Sequence, residues 1–127
     1  MKLRTTRNSI RLRLSQTDVT KLAETGVVEE TVQIGPEITD ALSYRLVRSK
    51  AVGTTRAQFE QNCLIVLVPS DQADQWSSSE QVGIEASQRT GNGGELSILI
   101  EKDFACLTPR TGDDDKDAFP NPSAACA

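Results

Sequence analysis

The chain has 127 residues, of which 37% are hydrophobic and 25% are charged, and its formal net charge is −4. This length and balance are typical of one globular domain, and no apolar run reaches the roughly 18 residues that a membrane helix requires. The sequence contains no histidine, which excludes Ser-His-Asp triads and Cys-His nucleophiles. We expect a cytoplasmic protein that does not bind membranes. We also expect no nucleic-acid partner, because the basic excess of the first half is small.

The three cysteines, Cys63, Cys106 and Cys126, are widely spaced and form no CxxC pair. Since histidine is also absent as a ligand, the sequence does not predict a structural zinc site. We expect two buried thiols and a third thiol in a loose C-terminal tail.

A β-hairpin is predicted over residues 2–14, with its turn at Asn8-Ser9. Aliphatic residues alternate with Arg11 and Arg13 at its end, which is the period of two of a β-strand. The other predicted strands cover residues 27–34, 42–48, 57–59, 63–68, 81–87 and 95–101.

Two short helices interrupt the strands. Ser15 and Asp18 match a capping box at the start of the first helix, and Gly26 is suited to end it. Ser70 or Asp71 is suited to cap the second helix.

Two stretches of the chain recur in the same order when the sequence is overlaid on itself without a gap. Residues 8–14 fall on residues 62–68, residues 42–48 fall on residues 96–102, and Val28 falls on Val82. The pattern predicts a ββαββ unit that is present twice.

We therefore predict a mainly β (α+β) fold, in which about eight antiparallel strands form a barrel or a strongly curved sheet with two short helices. The single β-rich domain covers residues 1–107, with pseudo-repeats over 1–54 and 55–107. Residues 108–127 are acidic and contain prolines, and we expect an extended tail that Phe119 anchors to the domain.

The opening NSIRLRLSQ of residues 8–16, the EKDFACL of residues 101–107 and the FPNP of residues 119–122 resemble a family of small uncharacterised bacterial proteins. The resemblance covers essentially the whole chain and implies no particular activity. Members have a glycine at the position of Arg7, so the first turn differs here.

The duplicated order of one strand, one helix and three strands resembles the triphosphate-tunnel (CYTH-type) domain. That resemblance implies a barrel that binds triphosphates through inward arginines and lysines, and metal ions through inward glutamates. The family's first strand carries a Glu-x-Glu-x-Lys motif, which the start Met1-Lys2-Leu3-Arg4 lacks.

Basic side chains gather on the predicted strands, and the candidate anion site consists of Arg4, Arg11, Arg13, Arg45, Arg48 and Lys102. Guanidinium groups bind phosphate or carboxylate oxygens in a forked geometry. If Arg11 and Arg13 line a barrel interior, they must be paired or bind an anion. If they face solvent, they are solvated strand charges that discourage edge pairing.

Glu101 and Asp103 share one face at the end of the last strand, with a spacing that a hard divalent cation could use. Alternatively, Glu101 forms an ion pair with Arg11 or Arg13 across the sheet. No other cofactor is implied.

The sequence predicts a non-enzymatic binding or interaction module, in which the arginine face contacts a small anionic ligand or an acidic protein surface. One alternative is a metal-dependent triphosphatase of tunnel type, and another is a structural subunit of a homo-oligomer. The triphosphatase would use Arg11, Arg13 and Arg45 for phosphate and Glu101 with Glu30 or Glu60 for metal.

Overall fold

The computed structural model describes residues 1–104 and 117–120. In chain order its elements are β1 (Lys2–Thr6), β2 (Ser9–Leu14), α1 (Gln16–Thr25), β3 (Val27–Gln33), β4 (Ala41–Ser49), β5 (Arg56–Glu60), β6 (Cys63–Pro69), α2 (Ser70–Ser77), β7 (Gly83–Arg89) and β8 (Glu95–Lys102). The predicted mainly β class, with two short helices, is therefore confirmed. Neither helix has the length and apolar character needed to cross a membrane.

The strands form two four-stranded sheets, which we call sheet A and sheet B. Sheet A has the order β1-β2-β8-β7, and sheet B has the order β3-β4-β6-β5. The outer pairs of each sheet are antiparallel, but β2 pairs with β8 and β4 pairs with β6 in parallel. The prediction of antiparallel strands is wrong at these two pairs, because each sheet combines one hairpin from the first half with one from the second.

The two halves share the element order ββαββ, but they do not align without a gap. Val28 pairs with Leu46, and the equivalent pair in the second half is Ile84 with Ile100. Val82 precedes β7 and is 46% exposed. The predicted match of Val28 with Val82 is therefore wrong by two residues, because the link from α2 to β7 is longer and the following hairpin loop is shorter.

Side-chain hydrogen bonds connect the edges of the two sheets. Gln88 accepts from the Ala57 amide at 2.7 Å and donates to the Ala57 carbonyl at 3.0 Å, which joins β7 to β5. On the opposite side, the Tyr44 hydroxyl of the inner strand β4 donates to the carbonyl of Met1, which precedes the edge strand β1, at 3.0 Å. In the described part of the chain no backbone ladder links sheet A to sheet B, so the predicted barrel is not confirmed.

The hydrophobic core lies between the sheets and includes one face of each helix. From the strands, Leu12, Leu46, Val66 and Ile100 are fully buried. Trp76 of α2 is also fully buried, and its indole N–H donates to the Val82 carbonyl at 3.0 Å. A buried indole donor needs such an acceptor.

Helix α1 begins and ends as the sequence predicts. Ser15 accepts from the Asp18 amide and Asp18 accepts from the Ser15 amide, so the capping box is present. Gly26 has a φ of 82° and ends the helix in the left-handed conformation. The prediction for α2 is wrong, since its cap is Pro69, which makes no side-chain capping bond.

Residues 117–120 return to the start of α1. The Asp117 carbonyl accepts from the Gln16 amide at 2.9 Å, and its carboxylate accepts from the Thr17 amide at 3.3 Å. These bonds satisfy amides that the first turn of a helix leaves open. Phe119 contacts Phe104 edge-to-face at 6.0 Å, so the predicted anchoring by Phe119 agrees with this arrangement. The rest of the predicted tail lies outside the described residues.

Replacing Gln88 by alanine should weaken the contact between the two sheets, because both of its amide hydrogen bonds to Ala57 are lost. We expect the free energy of unfolding to fall by about 1–3 kcal/mol, since the Ala57 backbone groups lose their partners. Urea unfolding measures this change. The control Gln58→Ala removes a glutamine without a hydrogen bond in the described residues, and an equal loss in both variants would contradict the role of Gln88.

Asp117 should contribute acid-sensitive stability. Its hydrogen bonds with Thr17 and Ser15 lower the pKa of its carboxyl from the ordinary 3.8. Between the lowered pKa of the folded state and the ordinary pKa of the unfolded state, Asp117 binds fewer protons in the folded protein. The stability that it contributes is therefore lost as the pH falls through this interval. Urea unfolding between about pH 5 and pH 2 should therefore be less pH-dependent in Asp117→Asn than in the wild type.

The matched control is Glu24→Gln, which removes an exposed carboxylate from the last turn of the same helix. This variant should keep the wild-type dependence of stability on pH. A carboxyl titration of Asp117 by NMR that gives an ordinary or raised pKa would contradict the prediction.

Candidate functional site

Strand register brings charged side chains from both ends of the chain into one row on the outer face of sheet A. Arg4 pairs with Arg11, Arg11 pairs with Leu99, and Leu99 pairs with Glu85. Their neighbours along the strands, such as Leu12, point into the core. Because successive side chains alternate between faces, this set points outward. We call these four residues the arginine row.

A second row lies beside the arginine row, one pleat further along the strands. It consists of Thr6, Ser9, Ser97 and Ser87, which are paired in that order across the four strands. Thr6 and Ser9 hydrogen-bond to each other through their hydroxyl groups. Ser97 and Ser87 make no side-chain hydrogen bond within the part of the chain that is described, so their hydroxyls can both donate and accept. We call this set the hydroxyl row.

On the other side of the arginine row, Glu101 binds two arginines. One carboxylate oxygen of Glu101 lies 2.9 Å from Nε of Arg13 and 3.3 Å from Nε of Arg11. The side chain of Arg13 is 15% exposed, whereas that of Arg11 is 33% exposed. Arg11 therefore forms an ion pair with Glu101 and still exposes about a third of its side chain to solvent.

The arginine row and the hydroxyl row line a groove with a volume of about 750 Å³. Arg4 is exposed and has no ion-pair partner among residues 1–104 and 117–120. Arg4 and Arg11 are opposite each other on neighbouring strands, where the Cβ atoms of directly paired residues lie about 5 Å apart. Two arginine side chains that start this close together can direct their guanidinium groups to one anion.

The other two predicted arginines lie away from this groove. Arg45 is on sheet B, where its guanidinium binds the Glu29 carboxylate at 2.7 Å. This hydrogen bond raises the pKa of Arg45 above its usual value. Arg48 binds Asp74 of α2 at 2.9 Å. The structure therefore brings together Arg4, Arg11 and Arg13, but not Arg45 or Arg48.

Lys102, the last residue of β8, lies on the inner face and is 6% exposed. Its ammonium group donates to the Ser79 carbonyl at 2.7 Å and lies 5.7 Å from the Trp76 ring and 5.6 Å from the Phe119 ring. Burial lowers the pKa of Lys102. This lysine stabilises the junction between β8 and α2 and does not face the groove.

The carboxylates proposed for a metal site are directed to basic partners. Glu101 binds Arg11 and Arg13, and Asp103 lies 3.1 Å from the Lys2 ammonium group. Glu101 points to the outer face, whereas Asp103 is buried near β1. Within residues 1–104 and 117–120, no group of three or more acidic or cysteine side chains is arranged to hold a metal ion.

Glu30 and Glu60, the other predicted metal ligands, lie on sheet B, whereas Glu101 lies on sheet A. Glu60 ends β5 in sheet B and is exposed. Glu30 lies on the inner face of β3 and binds the Met1 amino group at 3.2 Å. Burial is the main cause that raises the pKa of Tyr44, and the negative charges of Glu30 and Asp18 raise it further. The Glu30 carboxylate, on the otherwise apolar inner face of β3, thus contributes to the contact between the two sheets.

Sequence reasoning did not find the residues that complete the groove, which are Thr6, Ser9, Glu85, Ser87 and Ser97. Four of them lie on predicted strands, and Ser9, which was predicted in the turn, begins β2. The groove depends on which strands are neighbours. The parallel pairing of β2 with β8 joins residues from opposite ends of the chain. The only signal in the sequence was the polar residues at alternate positions of β7 and β8.

Glu101→Gln should destabilise the protein, because two partly buried arginines lose the negative charge that they share. We expect the free energy of unfolding to fall by about 1–3 kcal/mol. The control Glu95→Gln changes an exposed residue of the same strand, which has no ion-pair partner in the described region, and should have little effect. Equal stability of the two variants in urea unfolding would contradict this role of Glu101.

Comparison with known proteins places the chain in a family. Among the curated proteins none matches it, and none of the solved structures does. A family model described as a family of unknown function (DUF7009) matches residues 1–123. This match confirms the predicted relation to an uncharacterised family. Because it spans nearly the whole chain, the protein belongs to this family of unknown function.

Proposed function

We propose that the protein is a non-enzymatic binding module, which holds a phosphate-like anionic group on the outer face of sheet A. The observation that carries the proposal is the pairing of Arg4 with Arg11 at the wall of the groove. Arg4 has no carboxylate partner in the described chain, and Arg11 shares the Glu101 carboxylate with Arg13. An anion between Arg4 and Arg11 would compensate this local excess of positive charge.

The hydroxyl row supports the same proposal. Phosphate oxygens accept hydrogen bonds from hydroxyl groups as well as from guanidinium groups. Ser9 lies on β2, one pleat from Arg11, and Ser97 pairs with Ser9 on the neighbouring strand. An anion held by the two arginines therefore has neutral donors within the same groove, on rigid strands rather than on loops.

The groove favours binding over tunnel-type phosphate hydrolysis. A tunnel enzyme would need arginines and glutamates that point into a barrel, whereas Arg11 and Arg13 are on the outer face. Glu101 accepts a hydrogen bond from Arg13 and forms an ion pair with Arg11. Release of Glu101 to a metal ion would remove the carboxylate that both guanidinium groups share.

A small ligand fits the groove better than an extended acidic protein surface does, because the lining residues form a concavity. Self-association stays a prediction for this chain. Measuring the molecular mass by sedimentation with and without ligand separates a binding module from a structural subunit, since only the second must be an oligomer in both conditions.

Tripolyphosphate should raise the melting temperature of the wild-type protein, because a ligand that binds only the folded state stabilises it by RT ln(1 + [L]/Kd). Arg4→Gln should weaken tripolyphosphate binding about tenfold, which corresponds to the loss of one charge-assisted hydrogen bond. Isothermal titration at low ionic strength measures this change, and added salt should weaken binding.

The matched control is Arg56→Gln. Arg56 is an exposed arginine on an edge strand of sheet B and, like Arg4, it has no ion-pair partner in the described residues. This variant should bind tripolyphosphate as the wild type does. Absence of wild-type binding, or equal losses in both variants, would contradict the proposed site.

A further inference from the structure

The arginine row carries opposite charges at its two ends. Arg4 and Arg11 lie on β1 and β2, and Glu85 lies on β7 at the far edge of sheet A. Glu85 is exposed and, within the described residues, has no ion-pair or side-chain hydrogen-bond partner. Because neighbouring strands are about 4.8 Å apart, the four positions span roughly 14 Å. The groove therefore has a cationic wall and an anionic wall.

We propose that the groove selects an extended dipolar molecule, with its anionic group on Arg4 and Arg11 and a cationic amino group at Glu85. This inference rests on the proposed anion site and adds the second half of the ligand. A purely anionic ligand would leave Glu85 unused and would be repelled by it. A ligand with an amino group at the far end converts the same carboxylate into a binding partner.

The middle of the groove suits the middle of such a molecule. Leu99 lies between Arg11 and Glu85 in the row and is half-buried, so it offers an apolar contact. Ser97 and Ser87 lie alongside, and their hydroxyls can bond amide groups. An extended tripeptide spans about 10–11 Å. Glu85 is two strand spacings from Arg11 and three from Arg4, or about 10–14 Å, so long side chains at both ends can reach such a ligand.

A simpler role for Glu85 is that of a solvated charge on an edge strand, which discourages pairing with another chain. This role makes no distinction between ligands. The dipolar site does distinguish between ligands. In that case, a ligand without the amino group binds more weakly, but only when Glu85 carries its charge. The two roles therefore differ in a measurable quantity.

Triglycine, N-acetyl-triglycine and triglycine amide are suitable probes, because all three have the same backbone. Triglycine carries both terminal charges, the acetylated form lacks the positive charge, and the amide lacks the negative charge. NMR titration of the labelled protein follows weak binding and locates it. Triglycine should bind about three- to fivefold more tightly than N-acetyl-triglycine, which is the upper part of the range for an exposed ion pair. Triglycine amide should bind more weakly than triglycine by a similar factor.

Two variants test the role of Glu85 directly. In Glu85→Gln the preference for triglycine over N-acetyl-triglycine should disappear. In Glu85→Arg the preference should reverse, and tripolyphosphate should bind more tightly than to the wild type because a third guanidinium faces the groove. Glu85 has no partner in the described fold, so both variants should melt at the wild-type temperature.

The outcomes separate this inference from the proposed function. If tripolyphosphate binds and Arg4→Gln weakens it, but the wild type does not distinguish triglycine from its acetylated form, the anion site stands and the dipolar site is overturned. A preference that persists in Glu85→Gln also overturns it. If neither triglycine nor tripolyphosphate binds, both proposals fail. The wild-type comparison alone decides the matter should a variant fold poorly.

Discussion

The parallel ladder between β2 and β8 is the contact on which the rest of the structure depends. It joins the second strand of the chain to the last one, along six paired positions from Ser9↔Ser97 to Leu14↔Lys102. On its inner side Leu12 and Ile100 are fully buried. On its outer side the same pairing places Arg13 beside Glu101. Core and candidate site are thus opposite faces of one ladder.

The equivalent ladder between β4 and β6 has the same geometry but a different outer surface. Arg11 and Arg13 of β2 correspond to Ile65 and Leu67 of β6, and all four side chains point away from the core. Glu101 of β8 corresponds to Val47 of β4. The inner positions stay apolar in both ladders, since both must be buried. Only the outer positions were free to differ, and in sheet A they carry charged side chains that line the groove.

Local features of the fold could be predicted from the sequence because neighbouring residues determine them. The capping box of Ser15 and Asp18 and the left-handed end at Gly26 need no information from distant parts of the chain. The turn at Gln61-Asn62, where both residues have positive φ, is equally local. Alternation correctly assigned Arg11 to the face opposite Leu12.

Pairing between distant strands could not be predicted in the same way. Alternating strands are compatible with antiparallel or parallel neighbours, and the choice depends on how two hairpins from different halves meet. Glu85 and Ser97 therefore had no visible relation to Arg4. The gapless overlay also concealed the shift between Val82 and Ile84, because a longer link and a shorter loop compensate each other.

The segment of residues 117–120 connects the end of β8 to the start of α1, and in this way supports the groove. The Phe119 amide donates to the Asp103 carbonyl at 2.7 Å, directly after the ladder ends. The Phe119 ring covers the ammonium group of Lys102, whose burial would otherwise be less favourable. Fixing Lys102 and Asp103 fixes the preceding Glu101. Since Glu101 forms an ion pair with Arg11 at the groove, the segment supports the position of Arg11 through the end of β8.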